Sequence, residues 1–305
     1  MIVNALVAVL VGAVRSGTCV LLASLGEVVS ERTGVVNLSI EGSMLLGALT
    51  AFIVTAQTGN PYISIPFAGL AGSLLALIHA YLCISRRANQ IASGLALMIL
   101  AQGVTAFFGR QYVSRQIQGM PPVDVPTLSS LPVVGPVLFR HDLLTYLSML
   151  MTIVVWAFLY RTRLGLVSRA TGEREEVAFA YGNSPIIVRY LAVLFGGFMA
   201  GIGGAQLAVA YTLNWVENMT QGRGFIAVAM VIFSSWHPIR AAFASYLFGG
   251  AYILQLFLQS KGVRLSPFIL AMTPYVLTLL ALLWASRRRF AMPEGLKSVF
   301  EGSGE

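Results

Sequence analysis

Two polar residues at the start of an apolar segment could serve a membrane transport pathway. Asn37 and Glu41 are four positions apart, so a helix would place them on one face. Because a carboxylate inside a membrane is costly unless it faces protein or water, Glu41 has two interpretations. It is either an interfacial residue paired with an arginine or a residue that lines or gates a pathway. These residues belong to the run from Gly26 to Gly42. The glycines at its two ends favour a broken helix beside a cavity.

Three further polar residues occur where a solute could pass. Arg15 lies well inside the first apolar segment, where it either pairs with acceptors in the protein or lines the solute route. Asn214 and Glu217 belong to a polar and aromatic connection that leads into a short apolar segment. They either border the mouth of a pathway or face water as loop residues. The candidate pathway or gate residues are therefore Arg15, Asn37, Glu41, Asn214 and Glu217.

A run of small residues indicates close helix packing. Gly197, Gly201 and Ala205 follow one another at four-residue spacing within an apolar segment. Small side chains at this spacing let two helices approach closely in a membrane. A phosphate-binding loop is a poor interpretation, because the run does not end in Lys-Ser or Lys-Thr.

The composition indicates an integral membrane protein built from helices. Of 305 residues, 57% are hydrophobic and 10% are charged, whereas soluble domains carry about 25% charged residues. Several apolar runs approach the roughly 20 residues of a spanning helix, and we predict a bundle of about nine membrane segments. The segment at 223–236 is short, which favours a re-entrant or broken helix. The predicted segments are 3–26, 36–56, 62–84, 90–108, 141–160, 188–210, 223–236, 239–258 and 267–285.

The basic residues predict how the chain lies in the membrane. One set of connections holds Arg32, Arg86, Arg87, Arg161, Arg163, Arg169, Arg174, Arg240, Arg287, Arg288, Arg289 and Lys297. The other holds Arg110, Arg115, Arg140, Arg223, Lys261 and Arg264. Because the first set is larger, we expect it on the cytoplasmic side. This places the amino terminus outside, an ordered loop at 109–140 outside, and a tail at 286–305 inside. The net charge of +8 therefore does not indicate nucleic-acid binding.

The predicted cytoplasmic loop at 161–187 contains signals for a helix that lies in water. Thr171 is a candidate cap for its start. Three acids follow in the first turn, where the helix dipole favours them: Glu173, Glu175 and Glu176. Gly182 can adopt the left-handed conformation that ends a helix, and Pro185 prevents its continuation. Such a helix offers a surface to a soluble partner that acts on the membrane part.

Sequence motifs for catalysis are missing. The chain has no phosphate-binding Gly-x-x-x-x-Gly-Lys-Ser/Thr run and no nucleophile elbow. Its two cysteines, Cys19 and Cys83, lie in apolar segments and have no spacing that fits a metal site. We therefore expect a transport subunit without a cofactor, and an enzyme embedded in the membrane is a poor interpretation.

Three stretches resemble a known family of transport proteins. They are Glu31-Arg-Thr-Gly-Val-Val-Asn-Leu-Ser-Ile-Glu-Gly42, the loop residues Gly172-Glu173 with Ala178 and Gly182, and the run from Gly222 to Phe233 that leads to Trp236-His-Pro238. In order and spacing they resemble the permease subunits of bacterial ABC importers for simple sugars, nucleosides and branched-chain amino acids, and most of all the nucleoside (purine-type) permeases. The chain departs from that pattern at Val177, Asn183 and Ser39, which affects the docking surface in detail.

The resemblance implies a single transmembrane permease domain over 1–305 in the bacterial cell (inner) membrane. It implies a second permease chain, often a different one, an ATPase with two nucleotide sites, and an external solute-binding protein or lipoprotein. The solute would be a nucleoside, with simple sugars as the alternative. Contact with the ATPase would fall on Gly172, Glu173, Glu176, Ala178 and Gly182. A secondary carrier or channel that acts without ATP is the rival hypothesis from another class.

Overall fold

The chain folds as a bundle of α-helices in the computed structural model, which describes residues 2–126, 128–261, 266–286 and 292–300. Two short strands, β1 (Val123–Asp124) and β2 (Arg140–His141), pair antiparallel in the loop between α4 and α6. The helices within the described residues are α1 (Ile2–Glu31), α2 (Ile40–Thr58), α3 (Pro61–Ala80), α4 (Gln90–Gly109), α5 (Val134–Leu138), α6 (Leu143–Arg161), α7 (Arg163–Glu173), α8 (Glu175–Ala180), α9 (Pro185–Gln206), α10 (Arg223–Phe233), α11 (Pro238–Ser260), α12 (Pro267–Ser286) and α13 (Glu294–Phe300).

The predicted all-α polytopic membrane fold is confirmed. Seven helical stretches in the described part of the chain are long and apolar enough to cross a membrane. The apolar helix α12 and the short α10 bring the segments to the predicted nine. The first segment was predicted to end at residue 26, but α1 continues to Glu31. It can do so because both acids in its last turns, Glu27 and Glu31, are buried against protein partners. The predicted basic residues Arg264 and Arg287 to Arg289 lie outside the described residues.

The short segment is a broken helix. Helix α10 has 11 residues, which makes it about 16 Å long and too short to span a bilayer alone. Residues 213–222 before it are not helical. They start beside the loop that follows α4, where Trp215 bridges Val113 and Asn214 bridges Gln116. This part of the chain is therefore an irregular segment of turns followed by a half-length helix, which is tolerated in a membrane where protein surrounds the backbone.

The small residues of α9 lie against α2 and α3. A methyl group on Gly197 would overlap the backbone of Gly72, and one on Gly201 would overlap the carbonyl oxygen of Ala68. Ala205 is fully buried. The absence of larger side chains on this face lets the helix backbones come close. Helix α9 therefore forms the centre of the bundle.

Replacing Gly201 with alanine is expected to destabilise the protein by about 1–3 kcal/mol, because overpacking forces backbone shifts. Gly103 is the matched control. It lies in the interior of α4, and a methyl group there would meet nothing within 4 Å. The thermal midpoint of each purified variant in nanodiscs measures the effect. Equal midpoints for Gly201→Ala and Gly103→Ala would contradict the packing role of Gly201.

The predicted single helix from Thr171 to Gly182 is in fact two helices, α7 and α8. Thr162 caps α7, because its side chain accepts a hydrogen bond from the backbone N–H of Gly165 at 3.0 Å. Thr171 lies inside α7 and its hydroxyl donates to the carbonyl of Val167, so it caps nothing. Arg174, with an extended backbone, separates the two helices. Glu173 therefore ends α7 and is not in the first turn of a helix, whereas Glu175 and Glu176 are in the first turn of α8.

Candidate transport pathway and coupling surface

The N-terminus of α10 is held by the buried carboxylate of Glu41. This carboxylate accepts hydrogen bonds from the backbone N–H groups of Gly222 at 2.8 Å and Gly224 at 2.6 Å, and from the hydroxyl of Thr220 at 2.6 Å. Glu41 is 1% exposed. The free amides and the positive end of the helix dipole are the natural partners of a negative charge. Among the described residues, the partners of the Glu41 carboxylate are therefore backbone amides and a hydroxyl rather than an arginine, and in this conformation it anchors α10.

The second residue of the predicted pair also makes local contacts. The Asn37 side-chain oxygen accepts from the Ser39 backbone at 3.0 Å, and the Asn37 backbone N–H donates to Glu27 at 2.7 Å. Asn37 is fully buried. It stabilises the turn that leads into α2, whereas Glu41 contacts α10, so the two buried residues have separate partners.

The C-terminus of α10 is held by two residues at the end of α1. Arg32 donates from Nε to the carbonyl of Trp236 at 3.1 Å and from Nη2 to the carbonyl of Ser235 at 3.3 Å. The indole N–H of Trp236 donates to the carboxylate of Glu31. A cation at a helix C-terminus is favourable, because unpaired carbonyls and the negative end of the dipole lie there. Both ends of the broken helix are thus held by residues of the Glu31 to Glu41 run.

Arg223, the first residue of α10, lies inside the bundle. Its side chain was placed in an external connection by sequence reasoning, but the residue is 6% exposed. Its guanidinium lies over the rings of Tyr252, at 5.0 Å, and Tyr211, at 5.7 Å. It also donates to the Cys19 sulfur at 3.6 Å. Stacking on aromatic faces compensates part of the cost of burying the charge.

The remaining predicted pathway residues, Arg15, Asn214 and Glu217, lie elsewhere in the chain and have other surroundings. Arg15 is exposed and donates to the carbonyl of Ala210 at 3.1 Å, so it pairs with a carbonyl of the protein. Glu217 is exposed in the irregular segment before α10, and Asn214 is partly buried there. Asn37 and Glu41 are thus both buried near the start of α2 with separate partners, and the five predicted residues do not contact one another through any hydrogen bond between their side chains among the described residues.

The surface of α8 exposes two aromatic side chains. Phe179 is 73% exposed and Tyr181 is 82% exposed. Gly182 follows with φ at +79°, the left-handed conformation that ends the helix and favours glycine. Exposed large apolar side chains of this kind occur at surfaces that a protein partner or lipid covers.

The predicted contact residues divide into two groups. Glu173, Glu176 and Gly182 are exposed. Ala178 is 1% exposed, and a methyl group on Gly172 would overlap the carbonyl oxygen of Arg32. These two residues therefore pack inward. Sequence reasoning missed Phe179 and Tyr181, although aromatic residues in a loop of acids and arginines were a usable signal.

The histidine after α10 adds no charge to this region. The ring of His237 lies on that of Tyr160, with centroids 5.3 Å apart. Burial, together with the charges of Arg240 and Arg32, lowers the pKa of His237. The neutral form of the side chain is therefore favoured, and Arg32 and Arg240 supply the positive charge near the end of α10.

Comparison with known proteins decides the family. The model of the branched-chain amino acid transport system / permease component family matches residues 9–284. The chain belongs to this permease family. No solved structure matches the chain.

Three relatives of this permease have names that describe their role. The putative glucose ABC transporter permease protein TsgC13 of Haloferax volcanii is 46% identical over 83% of this chain and 78% of that protein. The guanosine ABC transporter permease protein NupQ of Bacillus subtilis is 34% identical over 86% of each chain. The nucleoside ABC transporter permease protein NupC of Lactococcus lactis subsp. cremoris is 33% identical over 92% and 93%. The resemblance to sugar and nucleoside permeases is confirmed. The chain is a multi-pass permease subunit of an ABC transporter, and its family implies that a partner ATPase hydrolyses ATP.

Proposed function

We propose that this permease forms part of the pathway for nucleosides in an ATP-driven importer. The observation that carries the solute class is the similarity to two permeases named for guanosine and for nucleosides, each over at least 86% of both chains. The relative named for glucose, at 46% identity, makes a simple sugar the second candidate. Nucleosides and sugars are both neutral, polar and ring-shaped.

We further propose that α7 and α8 face the cytoplasm and dock onto the ATPase. Two observations support this. Basic residues cluster in the connections on that side, as expected for a cytoplasmic surface, and α8 exposes Phe179 and Tyr181. The amino terminus then lies outside and the tail at 286–305 inside. The whole chain, 1–305, acts as one permease domain in the bacterial cell (inner) membrane.

A second permease chain, different from this one, is proposed to complete the pathway. The candidate polar residues of this chain do not surround one cavity, because Glu41 is engaged with α10 whereas Arg15 and Glu217 are exposed. A passage between two subunits would gather polar groups from both. An external binding protein or lipoprotein would deliver the solute, and the ATPase would carry two nucleotide sites.

Uptake by the reconstituted transporter tests the solute class and the energy source together. Proteoliposomes would contain this permease with its second permease, ATPase and binding protein. We expect ATP-dependent uptake of labelled guanosine that unlabelled nucleosides compete away and glucose does not. Uptake of labelled glucose that unlabelled nucleosides do not inhibit would replace the nucleoside assignment with the sugar one. Guanosine uptake by this chain without ATP would favour a secondary carrier.

A further inference from the structure

A tight turn between α1 and α2 lies where α7, α8, α10 and α13 meet. We name the turn Arg32–Thr33–Gly34 the joint. The carbonyl oxygen of Arg32 lies so close to Gly172 of α7 that any side chain there would overlap it. Gly34 has φ at +87°, and a Cβ on it would lie 3.6 Å from the Cα atoms of Gly172 and of Gly295 in α13. The joint is therefore packed backbone against backbone on α7.

Arg189 ties the joint to α8. Its Nε donates to the carbonyl of Thr33 at 3.2 Å, and its Nη1 forms an ion pair with Glu175 at 2.6 Å. Glu175 is the first residue of α8. The side chain of Arg189 is 21% exposed, and that of Glu175 is 53% exposed. One arginine thus holds the start of α8 and the backbone of the joint at the same time.

Arg32 ties the joint to α10. Its guanidinium donates to the carbonyls of Ser235 and Trp236, and to the hydroxyl of Tyr160 at 3.3 Å. The planar fork of an arginine can hold two carbonyls at fixed positions, which a lysine cannot do. The opposite end of α10 is fixed to α2 through Glu41. A shift of the joint would therefore move one end of α10 while the other end stays anchored.

We propose that the joint transmits the movement of α7 and α8 to the broken helix α10, with Arg32 and Arg189 as its positioning residues. Each step of this route is a direct contact: Glu175 to Arg189, Arg189 to Thr33, and Arg32 to Trp236. Coupling between distant sites is carried by packed elements and hydrogen bonds that can take two arrangements. The proposal rests on the proposed docking of α7 and α8 onto the ATPase, and it identifies the part of the pathway that this docking moves.

Two variants test the transmission, Arg32→Gln and Arg189→Gln. We expect the ATPase to copurify with each variant and to hydrolyse ATP, while solute imported per ATP hydrolysed falls by about fivefold or more. The matched control is Arg86→Gln, an exposed arginine beside Ser85, whose hydroxyl contacts Tyr190 of α9 on the same side of the bundle. This control should import at the unmodified ratio. If Arg32→Gln and Arg189→Gln also keep that ratio, the proposal is overturned.

A thiol probe reports on the joint end of α10. Arg240, four residues after Trp236 at the joint end of α10, is exposed and can be replaced by cysteine, whereas the native Cys19 and Cys83 are buried. In the assembled transporter we expect the labelling rate of Arg240→Cys by a water-soluble maleimide to change when a non-hydrolysable ATP analogue binds. Adding Arg32→Gln should abolish that change. A nucleotide-dependent change of the same size in the Arg32→Gln background would overturn the proposal.

Two controls separate this proposal from folding defects and from the docking assignment. If Arg32→Gln does not purify as a folded protein, Arg32→Lys replaces it with the same expected loss, since an ammonium lacks the planar fork that holds both carbonyls at fixed positions. Failure of the docking assignment has a different signature. It would show as undiminished ATPase binding when Phe179 and Tyr181 are both alanine, a result that does not depend on the joint variants.

Discussion

Replacing Glu41 with alanine is expected to destabilise the permease by about 3–5 kcal/mol and to abolish uptake, because buried donors would lose their charged partner. The carboxylate accepts from Thr220, Gly222 and Gly224, and the residue is 1% exposed. Each buried donor left unpaired costs about 1–3 kcal/mol. A domain is stable by only about 5–15 kcal/mol, so this single change removes a large part of the total.

The measurement for Glu41 is the thermal midpoint of purified protein, followed by uptake in proteoliposomes. Glu217→Ala is the control, because Glu217 is an exposed acid in the segment that leads into α10. It should leave the midpoint nearly unchanged. Glu41→Gln should be destabilised as well, since one carboxylate oxygen is replaced by an amide that cannot accept from an N–H group. If Glu41→Ala and Glu217→Ala have the same thermal midpoint, the anchoring role assigned to Glu41 is wrong.

Glu41 shows which features could be predicted from the sequence and which could not. The spacing of Asn37 and Glu41 predicted a shared face, and the glycines at both ends of that run predicted a broken helix entry. The partner could not be predicted, because Thr220 is 179 positions away in the sequence. No local pattern encodes which helix terminus a buried carboxylate will reach. The length of the 223–236 segment did predict the broken helix, since 11 helical residues cannot span a bilayer.

The loop between α6 and α9 shows a second limit of prediction from sequence, because two threonines in it are both suitable as helix caps. Thr162 and Thr171 are both acceptable helix caps by residue type. Thr162 became the cap because it follows directly on α6 and its side chain reaches Gly165. Thr171 instead donates to Val167 within α7, as threonines in helix interiors often do. The end of the helical region was easier to predict, because Gly182 alone offers an inexpensive left-handed residue there.

The sequence also did not predict which side chains of α8 and of the residue after it are exposed. Ala178 was expected on the docking surface, but it is buried, and the exposed side chains are Phe179 and Tyr181. A helix as short as α8 has no repeated apolar pattern that would identify its buried face. Of the predicted contact residues, Gly172 and Ala178 therefore pack inward, and the two exposed aromatic side chains were not among those predicted.

Replacing both Phe179 and Tyr181 with alanine is expected to abolish stable binding of the ATPase. Exposed aromatic residues that insert into a partner pocket contribute about 2 kcal/mol or more each when truncated, or about 30-fold in affinity. The two losses together should weaken binding by about three orders of magnitude, if they are near additive. Because these side chains are 73% and 82% exposed, their removal should leave the thermal midpoint of the isolated permease unchanged.

A matched control comes from α11. Phe243 is also 73% exposed but lies within an apolar membrane segment. The affinity of the ATPase for permease in nanodiscs should fall with Phe179→Ala and stay constant with Phe243→Ala. Equal affinities for these two variants would place the docking surface elsewhere. An intact thermal midpoint with lost binding would instead establish that Phe179 and Tyr181 act at the contact with the ATPase, because these side chains contribute little to the fold of the permease itself.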